Sequence, residues 1–158
     1  MPQYMVIDNI KGDVSTQSYV GAIDIKSVEK QVDRAVVQRI GTSTREVGIP
    51  SINHVQISKN EDSASALLWQ YFYSGKVIPK VVIDRCALNS GKAEWQSRII
   101  LNNVMVSSIT NQSHEMGGQE LLTLSYSKIE HAFRGQSAAG QWQTAKHTSY
   151  DLETAKSG

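Results

Sequence analysis

The feature that most constrains this chain is an alternation of apolar and polar residues with a period of two. It occurs over residues 4–10, 22–32, 52–59, 77–88 and 122–126. Alternation of this kind places every second side chain on one face, so it predicts half-buried β-strands. The pattern over residues 93–110 is too long for one straight strand. We expect a bulge or sharp bend there at Asn102 and Asn103, and a second bulge where the phase slips by one residue between Tyr126 and Ile129.

Only one segment has the spacing of a helix. Its apolar residues follow the i, i+3, i+4, i+7, i+8 pattern of a single stripe: Ala64, Leu67, Leu68, Tyr71 and Phe72. The spacing predicts a short helix over about residues 63–74, with Gly75 in the left-handed position that ends it. About seven strands and one helix favour an all-β sandwich or small barrel flanked or plugged by the helix.

Size and charge exclude several classes of protein. The 158 residues predict one domain, and 16 Lys plus Arg against 15 Asp plus Glu leave a net charge of +1. That balance argues against a dedicated nucleic-acid binder, and no apolar run is long enough to cross a membrane. The first residues lack the regions of a signal peptide, so we expect synthesis in the cytosol and any export without a cleavable signal.

The composition changes after Arg134, where small and polar residues become frequent. We therefore expect a β-domain over residues 1–134. Residues 135–158 are expected to form a tail with a short final strand around residues 150–152.

The search for reactive groups predicts no catalytic site, no metal and no cofactor, so the chain is not expected to be an enzyme. The single cysteine, Cys86, allows no intramolecular disulfide and lies in a β-rich run, where a buried inert thiol is the usual outcome. The four histidines lack zinc-site spacing, and no nucleophile elbow or phosphate-binding loop is present.

Several segments together resemble the Hcp family, the tube-forming proteins of bacterial type VI secretion. The similar segments are residues 44–48, 62–68, 74–76, 104–108, 120–129 and 150–152. They follow the family's order over essentially the whole chain. The chain departs from the family pattern at Ala66 and Gly118, where many members have proline, and at Tyr150, where they have tryptophan.

The resemblance implies a flattened two-sheet antiparallel β-barrel with one flanking helix. It implies a structural tube subunit that forms stacked hexameric rings, is expelled, and carries effectors. The implied partners are further copies of the chain, the spike protein VgrG, sheath and baseplate components and effector proteins, with no nucleic acid and no membrane. The protein would be cytoplasmic before firing and secreted afterwards.

The resemblance also suggests two sets of functional residues. The strand that holds Glu29 and Gln31 corresponds to the inner sheet, so these residues are candidates to face the lumen; the alternative is an ordinary solvent-exposed face. The polar segment with Thr44, Arg45 and Glu46 corresponds to a projecting loop that reaches the next ring; the alternative is a solvated hairpin loop.

Three other functions remain open at this stage. A phage tail-tube protein would share the ring-forming β-architecture. A monomeric β-barrel that binds a small apolar ligand would need a wide apolar interior, and the polar neighbours of Trp95 and Trp142 disfavour it. A tube protein fused to a toxin domain is disfavoured because about two dozen residues follow Arg134, fewer than the roughly 40 that an unaided domain needs.

Overall fold

Antiparallel strands build most of the protein, with one short helix. The computed structural model describes residues 1–38, 41, 45–154 and 156–158. In chain order the elements are β1 (Gln3–Val6), β2 (Ile23–Ile25), β3 (Ser27–Gln38), β4 (Arg45–Asn60), α1 (Ser65–Ser74), β5 (Ile78–Asn89), β6 (Lys92–His114), β7 (Gly117–Ser125), β8 (Lys128–Phe133), β9 (Lys146–Asp151) and β10 (Lys156–Ser157).

The strands form two sheets that share β6. In the first sheet the order is β10-β9-β8-β6-β5-β1-β2. In the second sheet β3 pairs with β4, β4 with β7, and β7 with the later half of β6. All of these pairs are antiparallel. The mainly β architecture with one flanking helix confirms the fold class expected from the sequence.

The change of sheet within β6 occurs at a bend. Up to Val104, β6 pairs with β5, and from Met105 onward it pairs with β7. Asn103 precedes this change of partner by two residues and has φ +52°, a left-handed conformation that asparagine tolerates better than most residues. The bend predicted at Asn102 and Asn103 is therefore confirmed, and it turns one long strand into a corner between the sheets.

Three sequence-based strand assignments differ from the structure. The strand expected over residues 4–10 ends at Val6, and the one expected over residues 22–32 is two strands, β2 and β3, on either side of Lys26. The phase slip after Tyr126 is a break between β7 and β8 and not a bulge. The chain changes sheets there, since β7 belongs to the second sheet and β8 to the first. At this point Ser127 donates its backbone N–H to the Asn102 carbonyl oxygen at the bend of β6.

The helix begins slightly later than predicted. Ala64 occupies the N-cap position, and its N–H donates to Asp62 Oδ1 at 3.0 Å, while Ser65 Oγ accepts from the Asp62 N–H at 3.0 Å. These bonds satisfy backbone donors that precede the first helical turn. Gly75 ends the helix with φ +66°, as predicted.

Apolar residues collect in two clusters on opposite faces of the first sheet. The larger cluster fills the space between the two sheets and beneath α1, where Met5, Ile57, Leu101 and Leu122 are fully or almost fully buried. The smaller cluster lies on the other face of the first sheet, where the loop between β1 and β2 covers the strands; its members are Tyr4, Tyr19, Ala22, Cys86 and Ala93. The burial expected for Cys86 is confirmed.

Adjacent leucines in β7 test this assignment of faces. Leu122 is 0% exposed in the main core, whereas Leu121 is 41% exposed on the opposite face. We expect Leu122→Ala to lower the free energy of unfolding by about 2–5 kcal/mol, because it removes buried methyl groups and leaves a cavity. Leu121→Ala, the matched control, should change it by about 0.5 kcal/mol or less. Urea denaturation of both variants measures the difference, and equal losses would contradict the assignment.

Candidate functional site

The face of the second sheet that points away from the core is the first candidate surface. In β3, β4 and β7 the side chains of Val28, Val55, Ile57, Leu122 and Leu124 belong to or pack against the main core. Because side chains alternate along a strand, their neighbours point to the other side of the sheet. That side lacks any covering layer from the described part of this chain.

Cross-strand pairing arranges those neighbours in rows. One row runs Glu29, Gln56, Thr123 and Ser108, and the next runs Ser27, Ser58, Leu121 and Thr110. We call these eight residues the polar face. All but Leu121 are polar, and Glu29 is its one charged residue. A surface of this composition is suited to contact with water.

The orientation of Glu29 agrees with this assignment. Its neighbour Lys30 is also exposed overall, but its side chain points to the opposite side of the second sheet, where Lys30 Nζ contacts Nδ1 of His131 on β8 in the first sheet. Burial lowers the pKa of Lys30, and burial together with Lys30 lowers the pKa of His131. Glu29 itself is exposed and pairs with Gln56. The other predicted lumen residue, Gln31, belongs to β3 at an irregularity of the pairing between Lys30 and Val32; its side chain lies outside the described residues.

The segment expected to contact the next ring adjoins the hairpin of β3 and β4. Arg45 and Glu46 begin β4, where their backbones pair with Gln38 and Val37 of β3. Their side chains and the whole of Thr44 lie outside the described residues. The structure therefore gives the position of Arg45 and Glu46 in the chain path, and the contact that they were predicted to make stays a prediction.

A buried group of charges fastens α1 to the second sheet. Lys59 and Glu120 are cross-strand neighbours, 0% and 2% exposed, with Nζ and Oε1 2.8 Å apart. Lys59 Nζ also lies 2.9 Å from Oδ1 of Asp62. From the helix, Ser65 Oγ and Trp69 Nε1 donate to the two oxygens of Glu120 at 2.6 and 3.1 Å.

These contacts set the ionisation of Glu120. Burial by itself raises the pKa of this carboxyl, but the hydrogen bonds and charge of Lys59, with hydrogen bonds from Ser65 and Trp69, outweigh it and hold the pKa below its usual value. Sequence reasoning missed this group. The alternation of the strands could have revealed it. Lys59 follows Val55 and Ile57 at intervals of two residues, and Glu120 precedes Leu122 by two, so both charged residues fall at positions where an apolar core residue is expected.

A second buried carboxylate fastens the loop between β1 and β2 to the first sheet. Asp84 is 1% exposed; its Oδ1 accepts from Arg98 Nε, and its Oδ2 accepts from Arg98 Nη2, each at 2.7 Å. The Tyr19 hydroxyl donates to Oδ2 at 2.6 Å. Burial and the Asp84 carboxylate raise the pKa of Tyr19, while the hydrogen bond to Asp84 raises the pKa of Arg98.

The described residues offer little for metal or nucleophilic chemistry. They include no group of three His, Cys, Asp or Glu side chains positioned to hold a metal ion. Burial raises the pKa of the Cys86 thiol, which favours its unreactive protonated form. Within the same residues, no helix has the length and apolarity needed to cross a membrane.

Comparison with known proteins decides the family. The model of the family described as "Type VI secretion system effector, Hcp" matches residues 4–133. The chain belongs to the Hcp family. It is thus a tube protein of type VI secretion, as its motifs suggested. No curated protein has a matching sequence.

Solved structures agree with the Hcp fold. A type six secretion system protein superposes with a TM-score of 0.91 at 17% identity over 99% of both chains. Hcp1 from Salmonella typhimurium has a TM-score of 0.80 at 18% identity, covering 99% of this chain and 98% of its own. A type VI secretion system effector from Yersinia pestis has a TM-score of 0.70 at 18% identity, covering 94% and 98%.

The buried cluster predicts a specific loss of stability in acid. Because the folded state lowers the pKa of Glu120, its ionised form stabilises the fold above its ordinary pKa of 4.5, and this contribution is lost as the pH falls through the lower folded value. Glu120→Gln leaves Lys59 without its closest carboxylate, so we expect a loss of about 3 kcal/mol near neutral pH. The difference from the unsubstituted protein should shrink below pH 4.5.

Urea denaturation over a series of pH values measures this difference. Glu115→Gln is the matched control, because Glu115 is exposed in the turn between β6 and β7. A Glu120→Gln penalty that stayed constant down to the lowest pH would show that the charge of Glu120 does not stabilise the fold.

Proposed function

We propose that this chain forms rings of six copies that stack into the hollow tube of a type VI secretion apparatus, with the polar face of the second sheet lining the channel. The observation that carries the proposal is the second sheet, which has four strands. One of its faces is the polar face, and no strand of the described chain pairs with either of its two outer edges. Membership of the Hcp family supports the same reading.

The two edges lie on opposite sides of the second sheet. One is β3, which pairs only with β4, and the other is the later half of β6, which pairs only with β7 among the described residues. Unpaired edges of this kind associate with other strands unless they are protected. Pairing β3 of one copy with β6 of the next is a heterologous contact, and such contacts close into a ring when the rotation between copies allows it.

Closure in this way would give a continuous barrel. Six copies would contribute about 24 strands, and barrels with many more than eight strands enclose an open channel. The polar face would then line that channel with hydroxyl and amide groups and the carboxylate of Glu29. Such a wall would hold varied protein cargo weakly, because it offers many hydrogen-bonding groups and few charges or apolar anchors.

The remaining partners and the route follow from the type VI context. In this proposal the tube assembles in the cytoplasm, carries effectors in its channel, and is expelled together with the spike protein VgrG when the sheath contracts on its baseplate. Arg45 and Glu46, with Thr44, make contacts between stacked rings. Glu29 and Gln31 face the cargo.

Ring closure can be tested by mass and by cross-linking. We expect light scattering at tens of micromolar to report about six times the 17.5 kDa of one chain. Glu29→Cys combined with Ser108→Cys or Thr110→Cys should give disulfide-linked species of up to six chains. Each interface between neighbouring copies would bring a cysteine on β3 of one copy next to a cysteine on β6 of the other. Either cysteine alone should give at most dimers, since a single new thiol forms only one bond. A protein that remains monomeric would refute the ring.

The stacking role predicts a separation of two assembly steps. Arg45→Ala with Glu46→Ala should leave rings intact and shorten or deplete tubes, because these residues would lose charged contacts with the next ring and not with ring neighbours. Negative-stain imaging counts rings and tubes, and Glu153→Ala is a control for a charge removed elsewhere. Tubes of normal length and number would count against the assignment.

The lumen role predicts an effect on cargo without an effect on assembly. Glu29→Trp should preserve the ring mass and reduce co-purification of an effector, because six bulky side chains would narrow the channel. Glu153→Trp makes the same change at an exposed position outside the second sheet and should leave co-purification unchanged. Normal recovery of the effector with Glu29→Trp would show that Glu29 does not face the lumen.

A further inference from the structure

A cavity elsewhere on the protein contains none of the residues assigned to the proposed tube. It lies on the face of the first sheet that the loop between β1 and β2 covers, and its volume is about 420 Å³. Val6, Val82 and Ala93 give it apolar walls, and Ser18 and Tyr19 of the loop form one rim. Small-molecule sites have volumes of roughly 300–1,000 Å³ and combine apolar walls with a few polar groups, so this cavity falls within that class.

The acidic groups of the cavity already have partners within the chain. Both carboxylate oxygens of Asp84 accept hydrogen bonds from Arg98, and one also accepts from Tyr19. Glu94, the other lining carboxylate, accepts from Nε1 of Trp142. Arg98 therefore balances the charge of Asp84, whereas Glu94 keeps its negative charge beside Arg134 and Lys92.

Arg134 provides a cation that is held in place but still has free donors. Its Nε donates to the Trp95 carbonyl oxygen at 2.6 Å. Its guanidinium carbon lies 4.1 Å from the centre of the Trp95 ring and 4.6 Å from that of Trp142. These contacts orient the planar group. Its two terminal nitrogens donate to no described residue.

The lining charges indicate which ligand this arrangement suits. Lys92, Arg98 and Arg134 outnumber Asp84 and Glu94 by one, so the cavity carries one net positive charge. The paired nitrogens of a guanidinium match the two oxygens of a carboxylate in a bidentate contact. A doubly charged phosphate would suit the site less, because the two lining carboxylates would repel its second charge.

We propose that this cavity binds a small monocarboxylate with an apolar body, with its carboxylate on Arg134 and its body against Val6, Val82 and Ala93. All of its lining residues belong to one chain, so a single subunit supplies the whole site. A carboxylate next to an apolar body occurs both in free organic acids and at the C-terminus of a peptide that ends in an apolar residue. An experiment can distinguish these two kinds of ligand.

Isothermal titration calorimetry of the intact protein with phenylacetate tests the proposal. We expect one site per chain. Phenylacetamide, which keeps the ring and loses the charge, should bind about ten- to hundredfold more weakly because a charge-assisted pair of hydrogen bonds is lost. Acetate, which keeps the charge and loses the apolar body, should bind about tenfold more weakly. Phenylacetamide binding as tightly as phenylacetate would overturn the proposal.

Variants then locate the site. Arg134→Gln should weaken phenylacetate binding about ten- to hundredfold, whereas Arg85→Gln, which removes an exposed arginine of β5 outside this cavity, should leave it unchanged. Val82→Phe fills the cavity without altering the Arg134 contacts and should also weaken binding. Circular dichroism and thermal unfolding establish that each variant is folded. Binding unaffected by both Arg134→Gln and Val82→Phe, or no binding at millimolar phenylacetate, would exclude this site.

A second pair of ligands distinguishes a site for free organic acids from a site for peptide C-termini. N-acetylphenylalanine carries the group as a free acid, and a five-residue peptide ending in phenylalanine carries it on a chain. Binding of both supports a site that accepts a chain terminus, whereas binding of the free acid alone supports a site for small organic acids. Failure of both ligands to compete with phenylacetate would contradict the proposed recognition of a carboxylate on an apolar body.

Discussion

The structure depends on the sharing of β6 between two sheets. A strand of 23 residues cannot remain straight in a protein of this size, and the left-handed turn at Asn103 allows its halves to pair with different partners. The first half supports β5 and β8, and the second supports β7. The main core lies in the corner that this strand makes. The second sheet, with its polar face, consequently has a fixed position relative to the first.

Two buried carboxylates attach the irregular parts of the chain to this framework. Glu120 holds the start of α1 through Ser65 and Trp69, and Asp84 holds the loop between β1 and β2 through Tyr19. In each case one basic residue, Lys59 or Arg98, balances the charge. An unpaired charge at these depths would cost several kcal/mol, and both ion pairs form between neighbouring strands. The helix and the loop add the remaining hydrogen bonds to each carboxylate. Local order and global folding are therefore coupled at both sites.

The sequence was informative where local pattern determines structure. Period-two alternation located the long strands, and the helical stripe with Gly75 located α1 to within two residues at its start. The break after Tyr126 and the division between β2 and β3 were missed, because a change of sheet depends on distant partners such as Asn102 and Ser58. A shift of phase has the same appearance in the sequence for a bulge and for a new strand.

The functional surfaces were predictable to different degrees. Family motifs indicated that β3 carries exposed polar residues, and Glu29 is exposed beside Gln56. The same motifs could not reveal the rows of the polar face, because Glu29, Gln56, Thr123 and Ser108 come from four strands whose register is set by the fold. The cluster around Lys59 and the cavity beside Arg134 likewise combine residues far apart in the chain.

The departure at Gly118 has a consequence for how this chain can vary. Gly118 accepts a hydrogen bond from the Glu61 N–H, and a Cβ at position 118 would lie within 2.6 Å of three atoms of the Glu61 carboxylate. The Glu61 side chain also accepts from Asn111, so it is not free to swing away without breaking that bond. The side chains that positions 61 and 118 can carry are therefore coupled through this contact. Proline at position 118, as in many family members, would require the exposed Glu61 side chain to rotate away and give up its bond to Asn111, and a smaller residue at position 61 would remove that cost.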